Sequence, residues 1–148
     1  MTESAAVPFV NGATETLSVV VERDVAFPPE KIWRALTQPH LMAEWLMKSD
    51  FKAVVDHRFR FTADWGAVDC QVRIVEPNRT LSYSWGSQGL DSVVTWTLTP
   101  TGTGTHLRME QVGFTPGFRQ AYHGAKAGWP RFLAKLEQVL ATAADLKD

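Results

Sequence analysis

The spacing of apolar positions changes period several times along the chain. Over residues 16–26 (TLSVVVERDVA) β-branched residues dominate and partly alternate with polar ones, the pattern of a strand with one buried face. Pro28 and Pro29 then precede Ile32, Trp33 and Leu36, which share one face of a helix that starts on its prolines. Pro39 interrupts, and Leu41, Met42, Trp45 and Leu46 repeat the helical spacing, so two short helices are predicted around a Thr-Gln-Pro corner. From residue 51 to residue 113 the period is two. Strands are predicted over 51–55, 57–63, 67–76, 80–86, 91–99 and 105–113, separated by short segments rich in Gly, Pro, Asn, Asp and Ser. Connections this short join antiparallel neighbours. After Gly113 the pattern is helical to the end. Thr115 and Pro116 signal a helix start, and Phe118, Tyr122, Ala125, Trp129, Phe132, Leu133, Leu136, Leu140 and Ala143 form a stripe, largely at steps of three and four. Pro130 has no N–H to donate, which predicts a kink or restart near residues 128–130.

The predicted class is therefore α+β: a strand, two short helices, six further antiparallel strands and one long amphipathic helix. A curved seven-stranded sheet and a single helix cannot pack flush along their whole length, so the combination leaves a space between them. Residues 16–148 are read as one domain and residues 1–15 as a flexible leader.

Composition removes several function classes. With 15 Lys plus Arg against 16 Asp plus Glu, the net charge is -1 and no basic run appears, which disfavours nucleic acid as a partner. Cys70 is the one cysteine, so neither an internal disulfide nor a thiolate zinc cage is available, and a reducing cytoplasm is the expected location. The leader carries Glu3 in place of a basic segment, and no window approaches the ~18 consecutive apolar residues of a membrane span. The unusual number is aromatic: 6 Trp, 8 Phe and 2 Tyr in 148 residues.

Several stretches carry a resemblance: PPEKIWRALTQPHLMAEWL at 28–46, VRIVEPNRTLSYSW at 72–85, VVTWTLTPTGTGTHLRMEQVGF at 93–114 and GWPRFLAKLEQVL at 128–140. They resemble the helix-grip superfamily (START-like or SRPBCC, with the birch-pollen allergen) and, within it, the family named after the activator of the heat-shock-protein-90 ATPase. The resemblance implies a curved seven-stranded antiparallel sheet wrapped around the C-terminal helix, with a cavity for apolar or amphipathic small molecules, and it links the chain with stress response. The eukaryotic co-chaperone has an additional N-terminal domain, for which this reading leaves no length. A cavity enclosed by the concave sheet face and the last helix makes Trp45, Phe59, Phe61, Tyr83, Trp85, Trp96, Met109, Phe118, Tyr122, Trp129 and Leu133 the candidate ligand-binding residues. Parity supports this, since Phe59 and Phe61, Leu81, Tyr83 and Trp85, Val94, Trp96 and Leu98, and Leu107 and Met109 each share one strand face.

Catalytic patterns are thin. His40, His57, His106 and His123 show no metal-ligand spacing, so no metal and no cofactor is expected. Cys70 alternates with polar neighbours like a packed thiol, Arg73 and Glu110 have the parity of the convex face, and Asp64 and Asp69 flank a hairpin. Tyr83 and His123 are the weak candidates for an acid and a base. The leading expectation is a binding module, leaning away from enzyme, with a hydrophobic small molecule as partner and a monomer or homodimer as its state. The alternatives are a co-chaperone-like regulator of a heat-shock-protein-90 type chaperone ATPase, and a cyclase- or aromatase-like enzyme using the same cavity.

Overall fold

The computed structural model describes residues 16–142; the leader expected over residues 1–15 and Ala143 of the helical stripe lie outside the described residues. The elements are β1 (Leu17–Val25), α1 (Pro29–Thr37), α2 (Pro39–Trp45), β2 (Lys48–Ser49), β3 (Arg58–Ala63), β4 (Gly66–Glu76), β5 (Thr80–Ser87), β6 (Leu90–Pro100), β7 (Thr105–Phe114), a single 3-10 turn at Pro116–Phe118, and α3 (Arg119–Thr142). The strands form one 7-stranded sheet in the order β1-β7-β6-β5-β4-β3-β2, with every pair antiparallel. This is the element order expected from the periodicity and the helix-grip arrangement that the resemblance implies.

Alternation decides what the sheet buries. Val94, Trp96 and Leu98 on β6 and Leu107 and Met109 on β7 face inward with Leu81 and Tyr83 on β5 and Phe59 and Phe61 on β3, all buried. Against them lie Ile32, Ala35 and Leu36 of α1, Leu41, Met42 and Trp45 of α2, and Leu133, Leu136 and Leu140 of α3. Trp45 joins the two short helices by donating its indole N–H to the Ala35 carbonyl at 2.9 Å. The same indole meets Trp96 edge to face at 5.6 Å, a geometry favoured by the ring quadrupoles.

One expectation is corrected and a second is narrowed. Residues 51–55 are not a strand; the second strand is the two-residue β2, just upstream, which pairs Lys48 with Thr62 and Ser49 with Phe61. Phe51 is buried, but the chain then turns, with the Val54 N–H on the Lys52 carbonyl and the His57 N–H on the Val54 carbonyl. Val54 and Val55 are exposed and Asp56 takes a φ of 75°, so the alternating apolar residues there have no sheet face to serve. Helix α3, for its part, runs through Pro130 without a restart. Lys126, whose carbonyl forgoes a donor four residues on, is exposed, and solvent satisfies carbonyls on that side of a helix at little cost. Thr115 starts the preceding turn through its carbonyl, which accepts from the Phe118 N–H, and its side chain makes no cap bond.

On the convex face His106 stands between two carboxylates, with Nδ1 2.8 Å from Asp24 and Nε2 2.6 Å from Glu22. The hydrogen bond to Asp24, then that to Glu22, raises the imidazole above its ordinary value of 6.5. A raised folded-state value means that the stabilisation is fully present below pH 6.5 and is lost as pH climbs through the folded value. His106→Gln is therefore expected to lower the melting temperature at mildly acidic pH and to converge on wild type in alkaline buffer; a difference that grows with pH would refute this assignment. A second expectation concerns the β6–β7 hairpin. A Cβ at Gly104 would collide with the Val25 carbonyl and approach Ala26 Cα to 2.9 Å, whereas one at Gly102 would meet nothing within 4 Å. Gly104→Ala should cost about 1–3 kcal/mol in denaturant unfolding, and Gly102→Ala should stay within about 0.5 kcal/mol of wild type.

Candidate ligand cavity

Helix α3 presents two different faces to the sheet. Its C-terminal half buries Leu133, Leu136, Val139 and Leu140. Along its N-terminal half the inward positions are Ala121, Gly124, Ala125 and Gly128, following Gly117 of the 3-10 turn. A Cβ at Gly117, Gly124 or Gly128 would meet nothing within 4 Å. Glycine inside a helix costs roughly 0.5–1 kcal/mol relative to alanine, and here no close packing requires it. What these residues do is leave room.

The room is a cavity of about 510 Å³, within the roughly 300–1,000 Å³ span of small-molecule sites. Trp85 of β5, Leu90 of β6 and Gln111 and Phe114 of β7 form the sheet wall, and Trp129 and Phe132 close the end where α3 descends onto the core. Hairpin tips form the rim: Trp65 between β3 and β4, Gln88 between β5 and β6, with Phe118 of the 3-10 turn opposite. Trp65 is 62% exposed. The Phe118 ring lies 3.6 Å from where a Cβ would stand on Gly89, so turn and hairpin are in contact.

Of the polar residues on the sheet wall, Gln111 is the deeply buried one. Gln111 is buried, its Oε1 accepting the Trp129 indole N–H at 2.7 Å and its Nε2 donating to Ser92 Oγ at 2.9 Å. Ser92 in turn donates to the Trp85 carbonyl at 2.7 Å. The chain of bonds satisfies each buried group in turn, which makes an amide tolerable at a position whose parity is otherwise apolar.

The expected lining residues divide. Trp85, Phe118 and Trp129 line the cavity. Trp45, Phe59, Phe61, Tyr83, Trp96, Met109 and Leu133 are packed into the core. Tyr122 is half-buried beside Phe114 at 5.8 Å, with the Lys126 ammonium 5.8 Å from its ring centre. Trp65, Gln111, Phe114 and the small residues of α3 belong to the wall without having been singled out from the sequence. Gln111 was detectable, because it shares the inward parity of Leu107 and Met109, and so was the recurrence of Gly and Ala at helical spacing.

Tyr83 and His123 are not brought together. The Tyr83 hydroxyl accepts the Trp96 indole N–H at 3.0 Å inside the core, and burial pushes its ionisation upward. His123 is exposed on α3, edge-on to Tyr122. Cys70 is buried, and burial, followed by the charge of Asp69, raises its thiol. Among the described residues no group of His, Cys, Asp and Glu is arranged to hold a metal ion, and no helix is long and apolar enough to cross a membrane.

The family model of the Activator of Hsp90 ATPase homolog 1-like protein matches residues 26–141. The chain belongs to that family. Among solved structures, protein MLL2253 from Mesorhizobium loti is 62% identical with a TM-score of 0.84, over 86% of this chain and 98% of that one. DynU16, from the dynemicin biosynthetic locus, is 29% identical with a TM-score of 0.76, over 84% of this chain and 47% of its own. BH1534 from Bacillus halodurans is 26% identical with a TM-score of 0.76, over 86% of this chain and 99% of its own. No curated protein matches the chain. The family's helix-grip sheet and helix are thus present here with a cavity at the N-terminal half of α3.

Trp129→Phe keeps an aromatic ring in the wall but removes the donor to Gln111. Leaving that buried oxygen unpaired should cost about 1–3 kcal/mol in urea unfolding, and adding Gln111→Leu should recover part of the loss. A single substitution with wild-type stability would show that the bond contributes nothing.

Proposed function

We propose that this family member is a binding module that holds a hydrophobic or amphipathic small molecule in the cavity between the sheet and α3. The observation that carries the reading is the contrast along α3: bulky residues where the helix seals the core, and glycines with open space before them where it faces Trp85 and Gln111. A helix selected only for stability would fill that space, because each vacant position forgoes both helix propensity and burial. The aromatic wall offers flat apolar surface, and one satisfied amide gives a bound molecule a point of orientation. The 29% identity to DynU16, a protein of a biosynthetic locus, is in keeping with a small-molecule role. Tyr83 and His123 stand apart, which favours holding a molecule over transferring protons to it.

Native mass spectrometry of freshly purified protein is expected to reveal a co-purifying small molecule, and titration with planar apolar compounds should shift the emission of Trp85 and Trp129. Gly124→Leu projects a side chain into the vacant space. It is expected to weaken binding about tenfold or more while raising helix stability by up to about 1 kcal/mol. Wild-type protein without an adduct and without response at tens of micromolar ligand, or a Gly124→Leu variant that binds as wild type does, would overturn the proposal.

A further inference from the structure

The cavity is neutral throughout: among the described residues none that lines it is charged. Its polar side chains are all uncharged: the amides of Gln88, Gln111 and Gln120, the hydroxyl of Ser87 and the indole N–H groups of Trp65 and Trp85. Charged side chains lie near in sequence and are directed elsewhere. Asp64, beside Trp65, borders a separate surface hollow with Lys48 and Thr62. Arg119, between Phe118 and Gln120, borders another with Leu17 and Pro116. Asp91 is exposed at the start of β6, and Lys126 covers the Tyr122 ring.

We infer that the cavity selects uncharged aromatic ligands and excludes their anions, a conclusion that rests on the ligand-binding reading above and adds to it the chemical class of the ligand. An anion entering this space would shed water and find no cation in return, and an unpaired buried charge is among the least tolerable things a protein interior can hold. Gln111 does not replace a cation. One of its amide hydrogens is already given to Ser92, and its oxygen already accepts from Trp129, so what remains suits a single neutral hydroxyl, amine or carbonyl. The walls suit a flat ring system, with the Trp85 indole on the sheet side, the bare backbone of Gly124 and Gly128 on the helix side and the Trp129 indole closing one end. Trp65, exposed at the rim, supplies further ring surface that such a ligand would cover.

Two dyes that share one skeleton test the inference on the intact protein: N-phenyl-1-naphthylamine is neutral, and 8-anilinonaphthalene-1-sulfonate adds a sulfonate to the same rings. The neutral dye is expected to gain emission on binding and the sulfonate to bind about tenfold or more weakly. Gln120→Lys, which sets an ammonium at the exposed rim of the wall, should narrow that gap several-fold by strengthening the sulfonate. Gly124→Leu should weaken binding of the neutral dye about tenfold or more, placing it in the cavity. Equal affinities, or a tighter sulfonate, overturn the charge selection while leaving a ligand site in place. A gap unmoved by Gln120→Lys removes charge as its cause. If neither dye binds, the ligand-binding reading falls and the selection with it.

Discussion

The Trp129 indole is the fixed point on which the arrangement of helix and sheet depends. Its N–H reaches 2.7 Å to Gln111 on β7, and its ring packs against Trp96 at 5.7 Å and Trp85 at 5.2 Å. This one residue therefore sets how far α3 stands from the sheet at the middle of its length. On the C-terminal side that distance is filled by Leu133, Leu136 and Leu140. On the N-terminal side the same distance is spanned by residues with little or no side chain, and the difference appears as a void. A helix tethered only by apolar contacts would settle toward the sheet, since interiors pack to high density wherever nothing prevents it. A directional bond, backed by a packed half-helix, prevents it.

The tether is polar for a reason that follows from burial. A hydrogen bond exposed to water fixes a distance weakly, because solvent competes for both partners. Inside, neither Gln111 nor Trp129 has an alternative partner of equal quality, and Ser92 occupies the other end of the amide. The strand register reinforces this, since β6 and β7 pair Trp96 with Met109 and Val94 with Gln111, so that Trp96 and the amide sit on one pleated surface beneath Trp129. Trp96 extends the same logic to the rest of the core, donating to the Tyr83 hydroxyl at 3.0 Å while meeting Trp45 edge-on. The aromatic excess is thereby divided into two populations: rings locked together by indole N–H bonds and edge contacts, and rings left facing space.

That division explains how far the sequence could be read. Periodicity identified β1 and β3 to β7, the two proline-started helices and the long C-terminal helix, because each buries one face over many residues and the signal accumulates. It failed over residues 51–55, where a short alternating run happens to lie in a turn, and of the kink or restart expected near Pro130 the continuous helix excludes the restart. Parity likewise told inside from outside: Tyr83, Trp85 and Trp96 all face inward from the sheet. It did not tell core from cavity wall, since Trp96 and Trp85 look alike on their own strands. What separates them is the size of the residue opposite, on an element distant in sequence. Gly124 and Gly128 carried that information, and Gly128 read instead as part of a break around the proline.

The ionisable groups follow the same partition, and this limits the chemistry the cavity can perform. Tyr83 and Cys70 are held protonated by burial within the packed half, so neither offers a base or a nucleophile to a bound molecule. His106, the shifted group that responds to mild pH, lies on the convex face between Asp24 and Glu22, with the sheet between it and the cavity. What remains at the cavity is shape, ring surface and a few uncharged polar groups, the most buried of which, the Gln111 amide, is already committed to structure. Such a site discriminates through the water a ligand must give up, because its own groups offer so little in exchange. The desolvation that makes the Gln111 to Trp129 bond firm enough to hold the cavity open is thus the same property that decides what enters it.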